Sequence, residues 1–138
     1  MTPRTSLSLA ALLAVALTGC ANKAGDVDTR NPRYIQFAGA PVESFPWVGS
    51  PIERWWDVAS EKLVVWTGVD TVYLLTVQAP CLELTVAQGV SLTHTAGVVN
   101  RGFDYVEFGG HKRCQIVEIR PVDYKRVREA EAGKPPSQ

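Results

Sequence analysis

Between Lys62 and Val77 the apolar positions fall on both parities of the chain. Leu63 and Val65 interleave with Val64 and Trp66, and Val72 and Leu74 interleave with Tyr73, Leu75 and Val77. Both runs are β-branched and aromatic, and Gly68-Val69-Asp70 separates them. The pattern predicts a hairpin of two strands, Lys62 to Trp66 and Thr71 to Val77. A strand with one wet face alternates apolar and polar residues. These two do not, so they are expected to be central and covered on both sides.

The flanking segments carry weaker periodicity. Leu82, Leu84 and Val86 alternate with Glu83 and Thr85, a pattern that fits a strand or a short helical turn equally well over 82–87. Val90 to His94 reads as a short strand, Gly97 and Asn100 to Gly102 as turns, and Phe103 to Phe108 as a strand ended by Gly109-Gly110. Gly109 to Lys112 is then a hairpin loop into Arg113 to Ile119, with Cys114 and Ile116 on one face. Pro121 fits the first residue of a short helix stopping near Gly133. Upstream, Tyr34 to Phe37 alternates like an edge strand. Pro41, Pro46 and Pro51 then forbid a helix or a central strand, so an extended lead-in lays Phe45 and Trp47 across the domain.

The first residues form a different kind of segment. Arg4 precedes an apolar run from Leu7 to Leu17, long enough for a signal h-region and too short to span a bilayer. The run closes on Leu17-Thr18-Gly19-Cys20, which resembles the lipobox of bacterial lipoproteins. That resemblance implies cleavage before Cys20 and lipidation of its thiol and amine. It also implies, because Ala21 and not Asp follows, an outer-membrane anchor facing the periplasm. Each buried methylene of such an anchor adds about 0.8 kcal/mol, so three acyl chains hold permanently. The expected division is a signal peptide at 1–19, a flexible tether at 20–33, a β domain at 34–123, and a short helix with a disordered tail at 124–138.

Charge narrows the partners. Beyond Arg4 the chain carries thirteen basic and fourteen acidic side chains. There is no basic surplus to follow a phosphate backbone, which argues against nucleic acid. With Cys20 taken by lipid, Cys81 and Cys114 are an even pair, and in an oxidising compartment an even pair reads as a disulfide. The rival is a metal or redox site that adds His111 and His94. A structural zinc site needs four ligands, and the sequence around His94 gives no ligand cue. The composite expectation is a mainly β fold: a small rolled antiparallel sheet or open barrel with one disulfide and a short C-terminal helix. No cofactor or metal is expected.

Catalytic templates are hard to place. Gly-x-Ser-x-Gly, His-Glu-x-x-His and a Gly-rich phosphate loop do not occur. His94 sits among Thr93 and Thr95, whose side chains point to the other face of a strand. His111 reads as a solvated turn residue. Asp57 and Glu61 are candidate paired carboxylates for work on a glycan, although Asp57 also reads as a turn or cap. Asp104 on an apolar parity calls for a buried partner, Arg101 or Arg113. Lys125, Arg126 and Arg128 read as a solvated helix face. The better binding candidates are aromatic. Four tryptophans lie between Trp47 and Trp66, and Trp55 and Trp56 must point to opposite sides of an extended chain. Trp47 and Trp55 are singled out as indoles that, if exposed, offer a stacking surface.

Tyr73-Leu74-Leu75-Thr76, Pro80-Cys81, Phe103-Asp104 and Arg113-Cys114-x-Ile116-x-x-Ile119 together resemble a family of small Gram-negative lipoproteins classed as a domain of unknown function. The likeness covers roughly Trp55 to Asp123. It implies the lipid anchor and the disulfide, and brings no catalytic residues. The expected function is a membrane-anchored periplasmic lipoprotein acting as a non-catalytic binding or adaptor module. Its partner would be an envelope protein or cell-wall component. The alternative is a hydrolase of an envelope polymer.

Overall fold

The computed structural model describes residues 31–47, 49, 52 and 54–133. The leader, Cys20, most of the tether, Pro51 and the C-terminal tail lie outside the described residues.

The hairpin at the centre forms as its pattern predicts. β3 (Lys62–Trp66) pairs antiparallel with β4 (Val72–Val77), with Val64 opposite Leu74 and Leu63 opposite Leu75. Its two parities feed two separate cores. Leu63, Val65, Leu75 and Val77 join one cluster, and Val64, Trp66, Val72 and Leu74 join the other. The hairpin is therefore buried on both faces.

Six strands make the main sheet, in the order β2-β3-β4-β8-β7-β5. The outer members are β2 (Trp55–Ala59), β5 (Ser91–Leu92) and β7 (Tyr105–Glu107). The long member is β8 (Arg113–Val122), whose first residues pair with β7 and whose later residues pair with β4. Opposite β4 it carries one extra residue: Thr76 faces Glu118 while Val77 faces Ile116. The bulge at Val117 flips the parity, so Ile116 and Ile119, three apart, point into the same cluster. The sheet does not close, and β2 and β5 remain its edges.

Each face has its own cover. β1 (Ser44–Pro46) pairs with β6 (Val98–Asn100) as a two-stranded ribbon, and its Phe45 stacks on Tyr73 at 4.4 Å. Phe45 and Trp47 are buried there, as the proline-rich lead-in predicts. α2 (Glu83–Val86) resolves the ambiguity of 82–87 as a helical turn that drives Leu84 into the same core and leaves Leu82 and Val86 outside. On the opposite face lie α1 (Pro32–Gln36) and α3 (Tyr124–Glu131).

Four expectations change, the first being that Asn100, expected in a turn, ends β6 opposite Ser44. Tyr34 to Phe37 is not an edge strand; it lies in and just after α1. Pro32 occupies the first turn, and the three-residue spacing of Tyr34 and Phe37 puts both rings on one helical face. Pro121 does not start the last helix. It stays in β8 because β4 still pairs there, Tyr73 against Pro121 and Val72 against Val122. The helix begins only where Asp123 accepts a hydrogen bond from the Arg126 N–H at 3.1 Å, and Gly133 at φ 71° follows its end. The strand expected over Phe103 to Phe108 shrinks to Tyr105–Glu107, since Phe103 lies in a turn.

Cys81 and Cys114 are joined, with their Cα atoms 6.1 Å apart. The bridge ties the start of α2 to β8 across 33 positions of chain. Loop-closure entropy for that span gives about 3.5–4 kcal/mol. Replacing both cysteines by serine is expected to lower unfolding free energy by about that amount in urea titration, and intact mass should show two hydrogens fewer in the native protein. Leu75→Ala, at the doubly covered centre, should cost about 2–5 kcal/mol. Trp56→Ala, at the margin, should stay within about 0.5 kcal/mol.

Candidate functional site

The edge strand β2 separates two adjacent tryptophans. Trp55 lies opposite Val65 and packs partly against the ribbon-side core, whereas Trp56 lies opposite Val64 on the helix side. An edge strand has a neighbour on one side only, and the helices do not reach over this position. Trp56 is accordingly 58% exposed, against 5% for Trp47 and 7% for Trp66. Trp47, singled out from sequence as a binding indole, is thus a core residue, and Trp55 is half-buried. The accessible indole is the neighbour that the sequence left unassigned.

Trp55, Trp56, Asp57 and Asn31 line a shallow groove of about 350 Å³. Asn31 N–H reaches the Val58 carbonyl at 3.5 Å, so the chain enters the domain alongside this edge. Asp57 is a half-buried strand residue opposite Leu63, not the turn or cap expected of it, and Glu61 sits in the β2–β3 turn.

An aromatic and cationic lock lies beside the groove. Trp66 meets Tyr34 and Tyr124 edge-on, at 5.7 and 5.6 Å, and the two tyrosines stack at 6.4 Å. Arg54 lies over Trp66 at 4.5 Å and donates to the Tyr124 hydroxyl at 3.1 Å. Burial, with Glu131 adding to it, pushes the Tyr34 phenol up to about 12. The sequence assigned no site role to Arg54 or to the two tyrosines. The signal that could have found them is parity: Arg54 and Trp56 share a side of β2, and Trp66 shares it across β3.

The remaining candidates take structural places. Glu83 Oε2 lies 3.9 Å from Cys114 Sγ, and Cys81, Glu83 and Cys114 cluster tightly enough for a metal. Both sulfurs are bonded to each other, so neither is a thiolate ligand. Asp104 is buried, as expected, but its partners are not arginines. It accepts from Thr93 Oγ1 at 2.8 Å and from the Asn100 N–H at 2.7 Å, a local loop lock. Arg101 pairs with Glu43 at 2.7 Å, and Arg113 lies over Tyr105 at 4.4 Å. His94 Nδ1 accepts from the Gly97 N–H at 3.3 Å within the Thr95–Val98 turn region, and His111 at φ 69° sits in the β7–β8 loop. Of the basic run, Arg128 reaches Asp70 at 3.2 Å and Arg126 stacks on Phe37 at 4.7 Å.

A second cleft of about 450 Å³ lies between the end of α1, the end of β8 and Arg126. Two of its backbone N–H groups are engaged, Gly39 donating to the Pro121 carbonyl and Asp123 to the Phe37 carbonyl, while the buried Nε–H of Arg126 has no hydrogen-bond partner among the described residues.

Residues 3–135 match the model of the Family of unknown function (DUF6491). The chain belongs to that family. The match extends well beyond the Trp55 to Asp123 stretch that carried the sequence resemblance, so the DUF6491 unit includes both helices that cover the sheet. No curated protein and no solved structure matches the chain.

Two outcomes follow for this DUF6491 domain. Asp104→Ala removes the acceptor for Thr93 and Asn100 and should cost about 1.5–3 kcal/mol, read by thermal or urea unfolding. The raised phenol of Tyr34 adds stability that is whole below pH 10 and is lost as pH rises toward 12, because the unfolded chain ionises first. Tyr34→Phe should flatten that alkaline loss. An unchanged alkaline profile would contradict the buried phenol.

Proposed function

We propose that this protein is a lipid-anchored component of the bacterial cell envelope whose β domain acts by binding, not by catalysis, through the margin of β2. The observation that carries the reading is Trp56: three of four indoles are wholly or partly packed, and this one stands in an open groove on an edge strand. Surface tryptophans at the centre of a contact are among the strongest single contributors to binding. The scaffold behind it is stiff, because β3 and β4 are buried on both faces. The anchor rests on Leu17-Thr18-Gly19-Cys20 and the apolar run before it. The joined Cys81 and Cys114 fit an oxidising compartment outside the cytoplasm.

Two measurements on the full chain in a Gram-negative host test this. Labelled palmitate should enter the protein, and Cys20→Ser or globomycin should abolish the labelling. A photo-crosslinking residue placed at Trp56 should capture envelope material, while the same residue at Val69, exposed at the β3–β4 tip, should not. Equal capture from both positions would remove β2 as the binding margin.

A further inference from the structure

We infer that the Trp56 groove is the membrane-facing side of the domain, and that its ligand is the headgroup region of the bilayer that holds the anchor. This rests on the envelope-lipoprotein reading above and names the partner of that same margin.

Chain length keeps the groove near the anchor. Asn31, which lines the groove, is eleven positions from Cys20. A trans chain spans at most about 3.3–3.6 Å per residue, so whatever path those residues take, the groove stays within about 40 Å of the lipidated cysteine. No other described part of the domain is nearer to the anchor along the chain. A surface held at that distance meets the bilayer at an effective concentration on the order of millimolar, enough for a contact too weak to form from free solution.

The chemistry of the exposed ring also suits a bilayer surface. An indole has an apolar body and one N–H donor, the combination that settles at the headgroup level of membranes. Trp56 presents such a ring to solvent, and Trp55 adds apolar wall beside it. Two exposed cations lie close along the chain. Arg33 is exposed on α1, two residues from Asn31, and Arg54 is exposed two residues before Trp56. Arg54 is held over Trp66 and bonded to Tyr124, so its charge is fixed in place. Against these two guanidiniums, the described residues that line the groove supply one carboxylate, that of half-buried Asp57. Anionic lipid headgroups complement that balance.

The test uses the full-length acylated protein in vesicles of phosphatidylethanolamine with brominated acyl chains, with and without phosphatidylglycerol. Bromine quenches only indoles that reach the bilayer. Wild-type emission should be partly quenched, more so with phosphatidylglycerol, and Trp56→Phe should abolish the quenched fraction. Trp47 and Trp66, sheltered in the cores, should contribute none of it. Arg33→Gln with Arg54→Gln should remove the dependence on phosphatidylglycerol. Equal quenching in wild type and Trp56→Phe, or none in either, would overturn the inference. If palmitate labelling and vesicle association persist in that case, the lipoprotein reading stands and only the membrane-facing assignment fails. A protein adduct from the crosslinker at position 56, with no quenching, has the same consequence.

Discussion

The structure depends on β8 being paired along both edges. β4 runs down one side from Val72 to Val77. On the other side three pieces follow in turn: β7 against residues 113–115, the Gly102 N–H on the Ile116 carbonyl, and the lead-in through the bridges of Val42 to Ile119 and Ala38 to Val122. Ten residues thus collect partners from four separate stretches of the chain. An unpaired buried amide costs as much as a lost hydrogen bond, so the chain before β3 and the chain after β4 are both drawn to this strand. The disulfide at Cys114 fixes its start, and the cap at Asp123 follows its end.

This arrangement explains why the cores are two and not one. The bulge at Val117 lets β8 present Cys114, Ile116 and Ile119 to the ribbon side and still turn Val122 toward the helices. Stability gathers at the centre, and the edges are left with less cover. Trp56 and the groove along β2 belong to that margin. The binding surface proposed for this edge follows how function is carried by peripheral elements positioned by a scaffold.

What the sequence disclosed depended on how local the cause was. The β3–β4 hairpin was legible because its two-sided burial is written in consecutive residues, and the Cys81–Cys114 bridge because reading Cys20 as part of a lipobox leaves these two cysteines as a pair. Tyr34 to Phe37 was misread because four residues do not separate a period of two from a spacing of three; Pro32 at the helix start was the available clue. The partner of Asp104 was misassigned because neighbouring arginines looked adequate, whereas the turn at Asn100 supplied nearer donors from Asn100 and Thr93. For Trp55 and Trp56, alternation gave opposite sides without saying which side the helices would fail to cover. That depends on β2 being an edge, a fact of topology that no short window contains.

Native-state hydrogen exchange followed residue by residue tests the central claim most directly. If β8 paired on both edges is the spine, its amides from Cys114 to Ile119 should exchange with those of β3 and β4 in the slowest class, opening only on global unfolding. Amides of β2 and β5 should open earlier, at lower free energy. Exchange of β8 together with β2 or β5, ahead of β3 and β4, would contradict the account.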